Sequence, residues 1–175
     1  MALKFIPVQT GAEIETLADL AKVVWNEFFV SIITPEQINY MVDQFQSVPA
    51  LTDQIGNQGY EYFFINWDGV KIGYTGIKPD TPKLFLSKLY LLKEYRGRGY
   101  ASATFAFLEN LCVNRRLEAI WLTVNRNNKD SIAVYEKKGF KVVRTQVKDI
   151  GNGYVMDDYV MEKVLAGCGN PGFWL

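Results

Sequence analysis

The spacing of hydrophobic residues predicts an amino-terminal strand followed by helices. Residues 3–8 (LKFIPV) have the composition of a strand, and the segment after them carries an apolar stripe at helical spacing. That stripe consists of Ile14, Leu17, Leu20, Ala21, Val24 and Phe28. A second helix is predicted to start after Thr34, a suitable N-cap, with Pro35 in the first helical position. The helical region therefore covers about residues 11–58.

From Tyr60 onward the pattern favours strands. YEYFFINW and VKIGYTGI flank Asp68-Gly69, a pair that accepts the positive φ angles of a tight turn, so a hairpin is predicted. LFLSKLYLL and EAIWLTV are two further strands. The two last strands, FKVVRTQV and YVMDDYVMEKVL, are joined across residues 151–153.

Two more helices lie among these strands. One begins near Gly99 and places apolar residues on one side, namely Ala101, Phe105, Leu108, Leu111 and Cys112. The other is SIAVYEKKGF, closed by Gly139 as a left-handed C-cap. The order of elements predicts a mixed α/β fold in a single domain, residues 1–175, with its core at about residues 60–165.

Composition narrows the chemistry. The chain has no histidine, which excludes Ser-His-Asp and Cys-His nucleophile pairs and histidine-based metal sites, and no metal is expected. Its 19 basic and 19 acidic residues balance, which argues against a nucleic-acid partner. Two distant cysteines, no signal peptide and no long apolar segment predict a soluble, cytoplasmic protein with reduced thiols and no membrane partner.

The most informative segment is Arg96-Gly97-Arg98-Gly99-Tyr100-Ala101, which joins a strand directly to a helix. Glycines let backbone N–H groups approach an anion, and the helix terminus and the arginines add positive charge, as a pyrophosphate requires. A dinucleotide-binding Rossmann site would need GxGxxG or GxGxxA, whereas this loop reads GxGxxS. The loop also follows antiparallel hairpins, and the next strand ends without a carboxylate, so the context disfavours that alternative.

The same loop resembles the pyrophosphate loop of the Gcn5-related N-acetyltransferase (GNAT) superfamily, Q/R-x-x-G-x-G/A, with Arg96, Gly99 and Ala101 in the motif positions. A second segment, residues 128–140, is similar to that family's N-x-x-A-I-x-x-Y-E-K-x-G-F helix, with Ser131 in place of alanine. Two motifs in the right order are more specific than either alone. A weaker resemblance extends over nearly the whole chain.

The resemblance implies a mixed, mostly antiparallel twisted sheet, splayed at its centre and flanked by helices, that binds acetyl-coenzyme A (acetyl-CoA). The strand residues implied in cofactor binding are Leu89, Tyr90 and Leu91. The loop residues implied are Arg96, Gly97, Arg98, Gly99, Tyr100 and Ala101, chiefly through their backbone N–H groups. Asn128 matches the asparagine that binds the pantetheine arm, and Tyr135 matches the tyrosine near the thioester sulfur.

Acetyl transfer to an amine needs a neutral nucleophile, a stabilised oxyanion and a leaving thiolate. The Tyr135 hydroxyl is suited to protonating the sulfur. The general base is open, because LFLSKLYLL carries no carboxylate; the candidates are Glu27, Glu61, Asp157, Asp158 or a chain of water molecules. Asp157 and Asp158 are consecutive in a strand, so only one of them can face a given pocket.

The predicted acceptor side comprises the amino-terminal helices, with Trp25, Glu27, Glu61 and Asp158 as candidate substrate-binding residues. The expected activity is direct acetyl transfer, in a ternary complex, to a primary amine of a small molecule such as a polyamine. The alternatives are a coenzyme A-binding sensor without catalysis and, more distantly, a nucleotide-binding oxidoreductase. A monomer or homodimer is expected, with Phe173 and Trp174 as candidates for packing on a partner subunit.

Overall fold

A computed structural model describes residues 2–166, and in that range the chain forms seven strands and five α-helices. The strands are β1 (Leu3–Pro7), β2 (Glu61–Trp67), β3 (Val70–Asp80), β4 (Lys83–Leu91), β5 (Ala119–Asn125), β6 (Lys141–Gly151) and β7 (Tyr154–Val164). The helices are α1 (Gly11–Phe29), α2 (Pro35–Phe45), α3 (Val48–Asn57), α4 (Tyr100–Arg115) and α5 (Lys129–Lys137). Cys168, Phe173 and Trp174 lie outside the described residues.

The strands form one sheet in the order β1-β2-β3-β4-β5-β7-β6. The β1/β2, β2/β3, β5/β7 and β6/β7 ladders are antiparallel, and the β4/β5 ladder is parallel. This β4/β5 ladder contains three residue pairs, from Lys83–Ala119 to Phe85–Trp121. The predicted fold class, a mixed and mostly antiparallel sheet with flanking helices, is confirmed.

Two compact units make up the structure. The first comprises the chain up to Lys78 together with Ser87–Phe105, and the second comprises Pro79–Leu86 together with the described residues from Ala106 onward. Helices α1 to α3 span residues 11–57, close to the predicted helical region. The extent of the predicted single domain stays a prediction.

In the first unit, a sequence signal sets the start of each amino-terminal helix. A capping box at Thr10 and Glu13 starts α1, and Thr34 followed by Pro35 starts α2, as predicted. The third helix, α3, is absent from the sequence prediction. Its ten residues include Pro49 and Gly56, which are poor helix formers, but Ser47 accepts a hydrogen bond from the Ala50 N–H and caps the helix.

Strands β2 and β3 of the first unit form the predicted hairpin, with Asp68 at φ 48° and Gly69 at φ 82°. Further along β3, a Cβ atom at Gly73 would overlap the carbonyl oxygen of Tyr90 on β4. Glycine at this position therefore allows β3 to approach β4 at the strand segment implicated in cofactor binding.

In the second unit, β5 lies beside β7 through seven residue pairs, from Ala119–Val164 to Asn125–Asp158. Lys163 of β7 forms a 2.6 Å ion pair with Glu109, so the odd-numbered β7 residues share the sheet face turned toward α4. Strand β6 pairs with β7 and is an edge strand of the sheet. The predicted turn between these strands is present, with Asn152 at φ 54°.

Candidate functional site

The glycine loop of the first unit runs from Arg96 to Ala101, and α4 begins within it at Tyr100. A 3₁₀ turn at Lys93–Tyr95, which the sequence prediction lacked, separates this loop from β4. Gly97 and Gly99 adopt φ angles of 72° and 86°, and no atom lies within 4 Å of where a Cβ would stand on either. The loop is thus an open backbone surface at a helix amino terminus, where N–H groups and the helix dipole favour an anion.

The two loop arginines contact aromatic rings of the first unit. Arg98 is exposed, and its guanidinium lies 5.7 Å from the ring centroid of Tyr95. Arg96 is folded back: its Nε donates to the Leu91 carbonyl at 3.0 Å, and its guanidinium lies 5.2 Å from the Phe28 ring centroid. The Arg96 side chain therefore braces the start of the loop. That backbone N–H groups matter more for the ligand than the arginine side chains stays a prediction.

Glu27, near the end of α1, is joined to this same segment. Its Oε2 accepts a 2.9 Å hydrogen bond from the backbone N–H of Lys93 and lies 3.9 Å from Nη2 of Arg96. Burial lowers the pKa of Arg96 from its usual value, and the Glu27 carboxylate opposes that shift. Glu27, predicted to bind substrate, is thus placed where it holds the 3₁₀ turn that leads into the loop.

The strand residues implied in cofactor binding precede this turn. Leu91 is 8% exposed and belongs to a core cluster with Ile65 and Ile72, against which Leu89 and Tyr100 pack. Tyr90 belongs instead to an aromatic cluster, with ring centroids 5.4 to 5.9 Å from those of Trp25, Phe28, Phe29 and Tyr74. The strand thus presents apolar side chains in both directions.

Trp25 is a core residue, 3% exposed. Its indole N–H donates to the Tyr74 hydroxyl at 2.7 Å, which in turn donates to Oε1 of Gln46 at 2.7 Å. Gln46 is buried, and its amide reaches the hydroxyl of Tyr62 at 3.4 Å. Direct contact between Trp25 and an acceptor stays a prediction, and the structure gives Trp25 a packing and hydrogen-bonding role beneath the half-buried Phe28 and Phe29.

The sequence analysis did not predict this series of side-chain hydrogen bonds. It ends where the Tyr62 hydroxyl donates to Oε1 of Gln54 at 2.6 Å, so it ties α1, β3, β2 and α3 together. Burial raises the pKa values of both Tyr62 and Tyr74 above their usual range, so both phenols stay neutral. The one signal in the sequence is the presence of two tyrosines on neighbouring strands of the predicted hairpin, because no pattern marks Gln46 as buried.

In the second unit, Asn128 and Tyr135 lie on the short helix α5. Asn128 is the N-cap, and its Oδ1 accepts a hydrogen bond from the Ser131 N–H at 3.2 Å. Tyr135 is half-buried beside Phe140, with ring centroids 5.9 Å apart. Burial raises the pKa of Tyr135 to about 12, so its hydroxyl keeps its proton well beyond neutral pH.

The remaining candidate carboxylates differ sharply in their environment. Glu61 is half-buried at the start of β2, opposite Ile77. Asp158 on β7 is 2% exposed, whereas its neighbour Asp157 is exposed and lies 2.9 Å from Nε of Arg126. The predicted opposite orientation of Asp157 and Asp158 agrees with this difference in exposure. Burial, and secondarily the charge of Asp157, raise the pKa of Asp158 to about 6.

Other classes of site have little support in the described part of the chain. Across residues 2–166, no group of three or more His, Cys, Asp or Glu side chains is arranged to hold a metal ion. The thiol of Cys112 is fully buried on α4. In the same range, no helix is both long and apolar enough to cross a membrane.

A strand, a 3₁₀ turn, a glycine loop and a helix in direct succession form an open backbone surface at a helix amino terminus, a geometry that suits an anion. The sequence matches the Acetyltransferase (GNAT) family over residues 19–140, and the chain belongs to that family and is an N-acetyltransferase. An uncharacterized N-acetyltransferase of Mycobacterium tuberculosis is 31% identical over 134 residues, which cover 76% of this chain and 85% of the relative. The predicted resemblance is confirmed.

Three further proteins are similar to this chain in sequence or in fold. The spermidine N(1)-acetyltransferase of Thermoplasma acidophilum is 25% identical over 149 residues, covering 83% of this chain and 90% of that protein. The crystal structure of the PaiA N-acetyltransferase of T. acidophilum in complex with coenzyme A has a TM-score of 0.77 at 23% identity, covering 94% and 100% of the two chains. The ribosomal-protein-S18-alanine N-acetyltransferase of Escherichia coli has a TM-score of 0.73 at 15% identity, covering 99% and 100%.

Proposed function

We propose that the chain transfers the acetyl group of acetyl-CoA to a primary amine of a small molecule, directly and within a ternary complex. The observation that carries this proposal is the open glycine loop at the amino terminus of α4, with Gly97 and Gly99 at positive φ. Family membership supports an acyl donor and sets the oxidoreductase alternative aside. The relative named as a spermidine acetyltransferase favours a polyamine-like acceptor.

On the donor side, acetyl-CoA supplies an acetyl thioester on a long pantetheine arm. The backbone N–H groups of residues 97–101 are proposed to bind its pyrophosphate, with Arg96 bracing the loop and Arg98 adding charge. Backbone groups of Leu89, Tyr90 and Leu91, together with Asn128, are proposed to hold the pantetheine arm. The loop fits this ligand because side chains are absent at Gly97 and Gly99 and positive charge is present nearby.

Glu27 offers a test of the loop. We expect Glu27→Ala to raise the KM for acetyl-CoA about tenfold with kcat within threefold, because the Lys93 N–H loses its acceptor and Arg96 loses its counter-charge. Glu27→Gln should recover part of the affinity, since an amide oxygen can still accept from Lys93. The matched control is Glu15→Ala, an exposed carboxylate on the same helix. Steady-state kinetics on all three variants measures this, and an unchanged KM in Glu27→Ala would contradict the role.

The transfer is proposed to proceed without an acyl-enzyme. Such an intermediate needs an accessible nucleophile, and Cys112, the cysteine among the described residues, has 0% exposure. Tyr135 is proposed to give its proton to the departing sulfur. Glu61 and Asp158 are proposed to serve the acceptor side, where carboxylates attract a cationic amine.

A second candidate function is a coenzyme A-binding module without catalysis. It is favoured by one observation, the lack of any carboxylate in β4, the strand that leads to the loop. A sensor would bind acetyl-CoA and transfer nothing. Oligomeric state also stays a prediction, as a monomer or a homodimer.

One experiment separates these functions. Calorimetry first measures acetyl-CoA binding, and release of free thiol is then followed with spermidine, spermine, putrescine, simple alkylamines and a peptide with an amino-terminal alanine. We expect binding together with turnover on at least one small polyamine. Binding without thiol release on any amine would favour the sensor, and turnover on the peptide alone would contradict a small-molecule acceptor.

A further inference from the structure

Asp158 has a buried carboxylate, and burial of that group does not stabilise the fold. Among the buried polar residues in the described part of the chain, Asp158 alone carries a carboxyl group; the others are Gln46, Asn66, Thr75, Thr104 and Asn128. Burying a carboxylate disfavours its charged form, and the pKa of about 6 records that penalty. At neutral pH this side chain thus destabilises the fold that contains it, as residues retained for function commonly do.

The neighbours across the sheet are neutral amides. Asp158 stands directly opposite Asn125 of β5 and Gln146 of β6, and opposite residues of antiparallel strands share one face. The three side chains therefore form a row across β5, β7 and β6. The residues that stand directly opposite the Asp158 carboxylate on the two neighbouring strands are therefore neutral amides.

Charged residues lie near this row on β7, on β6 and directly after β5. On β7, Asp157 is adjacent and repels Asp158, and Arg126, which follows β5, pairs with Asp157. On β6, Arg144 and Lys148 occupy the register positions on either side of Gln146. Further along the same face of β7, Glu162 is paired with Lys83 at 2.8 Å.

The orientation of Asp158 is set by strand alternation. Lys163 marks the β7 face turned toward α4, so Asp158, an even-numbered residue, belongs to the opposite face. That face also carries Trp121, which lies opposite Glu162 and stacks on Phe85 with ring centroids 4.1 Å apart. Asp158 is therefore separated by the sheet from α4.

We propose that Asp158 is the general base of the reaction, an inference that rests on the proposed transfer to an amine. The amine nitrogen forms a bond to the acetyl carbon as the carbon–sulfur bond breaks, and the proton that the nitrogen loses passes to the Asp158 carboxylate. The thiolate takes its proton from the Tyr135 hydroxyl. Asp158 then gives its proton to solvent and the Tyr135 phenolate regains one, so the net products are an amide and a thiol.

The test compares two neighbouring carboxylates. Asp158→Asn keeps the shape and removes the base, and Asp157→Asn makes the same charge change on the exposed side of the strand. We expect Asp158→Asn to lower kcat at pH 7.5 at least 100-fold, with the KM for acetyl-CoA within threefold. Asp149→Asn, at an exposed carboxylate on β6, is the matched control and should keep kcat within threefold.

The pH profile of kcat/KM for the amine gives a second readout. Below pH 6 the wild-type value should fall about tenfold more per pH unit than protonation of the amine alone causes, because protonated Asp158 cannot accept a proton. In Asp157→Asn this acid limb should move to lower pH, since the repulsion that raises the pKa of Asp158 is gone. In Asp158→Asn the limb near pH 6 should be absent.

Thermal unfolding separates catalysis from a structural role. The pKa of Asp158 is higher in the folded chain than the usual value of 3.8, so folding disfavours its ionised form above about pH 6, and this penalty vanishes below about pH 4. Asp158→Asn should therefore melt a few degrees higher than the wild type at pH 7.5. A lower melting temperature with the acid limb retained would overturn the proposal.

The outcomes also distinguish a failure of the Asp158 role from a failure of the proposed acetyl transfer. If the wild type transfers acetyl groups to no amine, the proposed function fails. If the wild type is active and Asp158→Asn keeps more than a third of its kcat with an unchanged acid limb, Asp158 is not the base and the proposed function stands.

Discussion

The Gly99→Glu variant should lose at least 100-fold in acetyl-CoA affinity while keeping its fold. Gly99 is exposed at φ 86°, and no atom lies within 4 Å of the position of an added Cβ, so a new side chain projects into open space at the helix terminus. A carboxylate there lies close to the negative charge of a pyrophosphate, a repulsion of about 1–4 kcal/mol at 4 Å in a solvated site. Positive φ adds about 1–2 kcal/mol of strain for a non-glycine residue.

Gly99→Gln separates charge from strain, because it has the same size and the same backbone penalty without the carboxylate. Calorimetry on the wild type and both variants, with far-ultraviolet circular dichroism to check the fold, makes the comparison. We expect Gly99→Gln to bind about tenfold more weakly than the wild type and Gly99→Glu to bind weaker still. Affinities within threefold of the wild type in both variants would place the pyrophosphate elsewhere.

Local signals accounted for most of the fold. Thr10 and Thr34 start helices, Asp68-Gly69 turns a hairpin and Asn152-Gly153 turns another, and in each case the determining interaction lies within a few residues. The missed helix α3 shows the limit of this kind of prediction. A ten-residue segment that contains Pro49 and Gly56 has low intrinsic helix propensity, so packing of Leu51 and the Ser47 cap decide the outcome.

The candidate site likewise contains parts that local sequence predicts and parts that depend on long-range contacts. The glycine loop and the Asn128 to Phe140 segment are contiguous in sequence, so their motifs could be recognised, and Asn128 and Tyr135 were found on the predicted helix. The partner of Glu27 could not be predicted, because Lys93 is 66 residues away and its backbone N–H carries no sequence signal. Long-range burial likewise decided the state of Asp158, which shares its residue type and its strand with exposed Asp157.

Burial changes the pKa values of two side chains in a way that the composition of the chain does not reveal. A chain without histidine has no side chain that ordinarily titrates near neutral pH. Burial supplies one at Asp158, whose pKa rises to about 6, and it keeps the phenol of Tyr135 protonated with a pKa of about 12. At pH 7 to 8 the Asp158 carboxyl is therefore mostly ionised and the Tyr135 phenol is protonated, which are the states that the proposed base and the proposed acid need.

The Tyr135→Phe variant should lower kcat about 100-fold and leave the KM for acetyl-CoA within threefold. Phenylalanine keeps the ring that packs beside Phe140 and removes only the hydroxyl that is proposed to protonate the sulfur. General acid catalysis contributes about 10²- to 10⁴-fold, which sets the expected loss. The phenol must be protonated to act, so the wild-type rate should show no Tyr135-dependent decline as pH rises to 10, and such a decline belongs near pH 12.

Tyr159→Phe is the matched control, since its ring lies under Arg126 at 5.3 Å and a phenyl ring keeps that contact. Thiol release at saturating acetyl-CoA, measured with a good and a poor amine acceptor, gives the decisive readout. If Tyr135 serves the departing sulfur, both acceptors should lose rate to a similar degree, because the leaving group is common to both. A kcat for Tyr135→Phe equal to that of Tyr159→Phe would reduce Tyr135 to its packing role and leave the thiolate to depart without a proton donor.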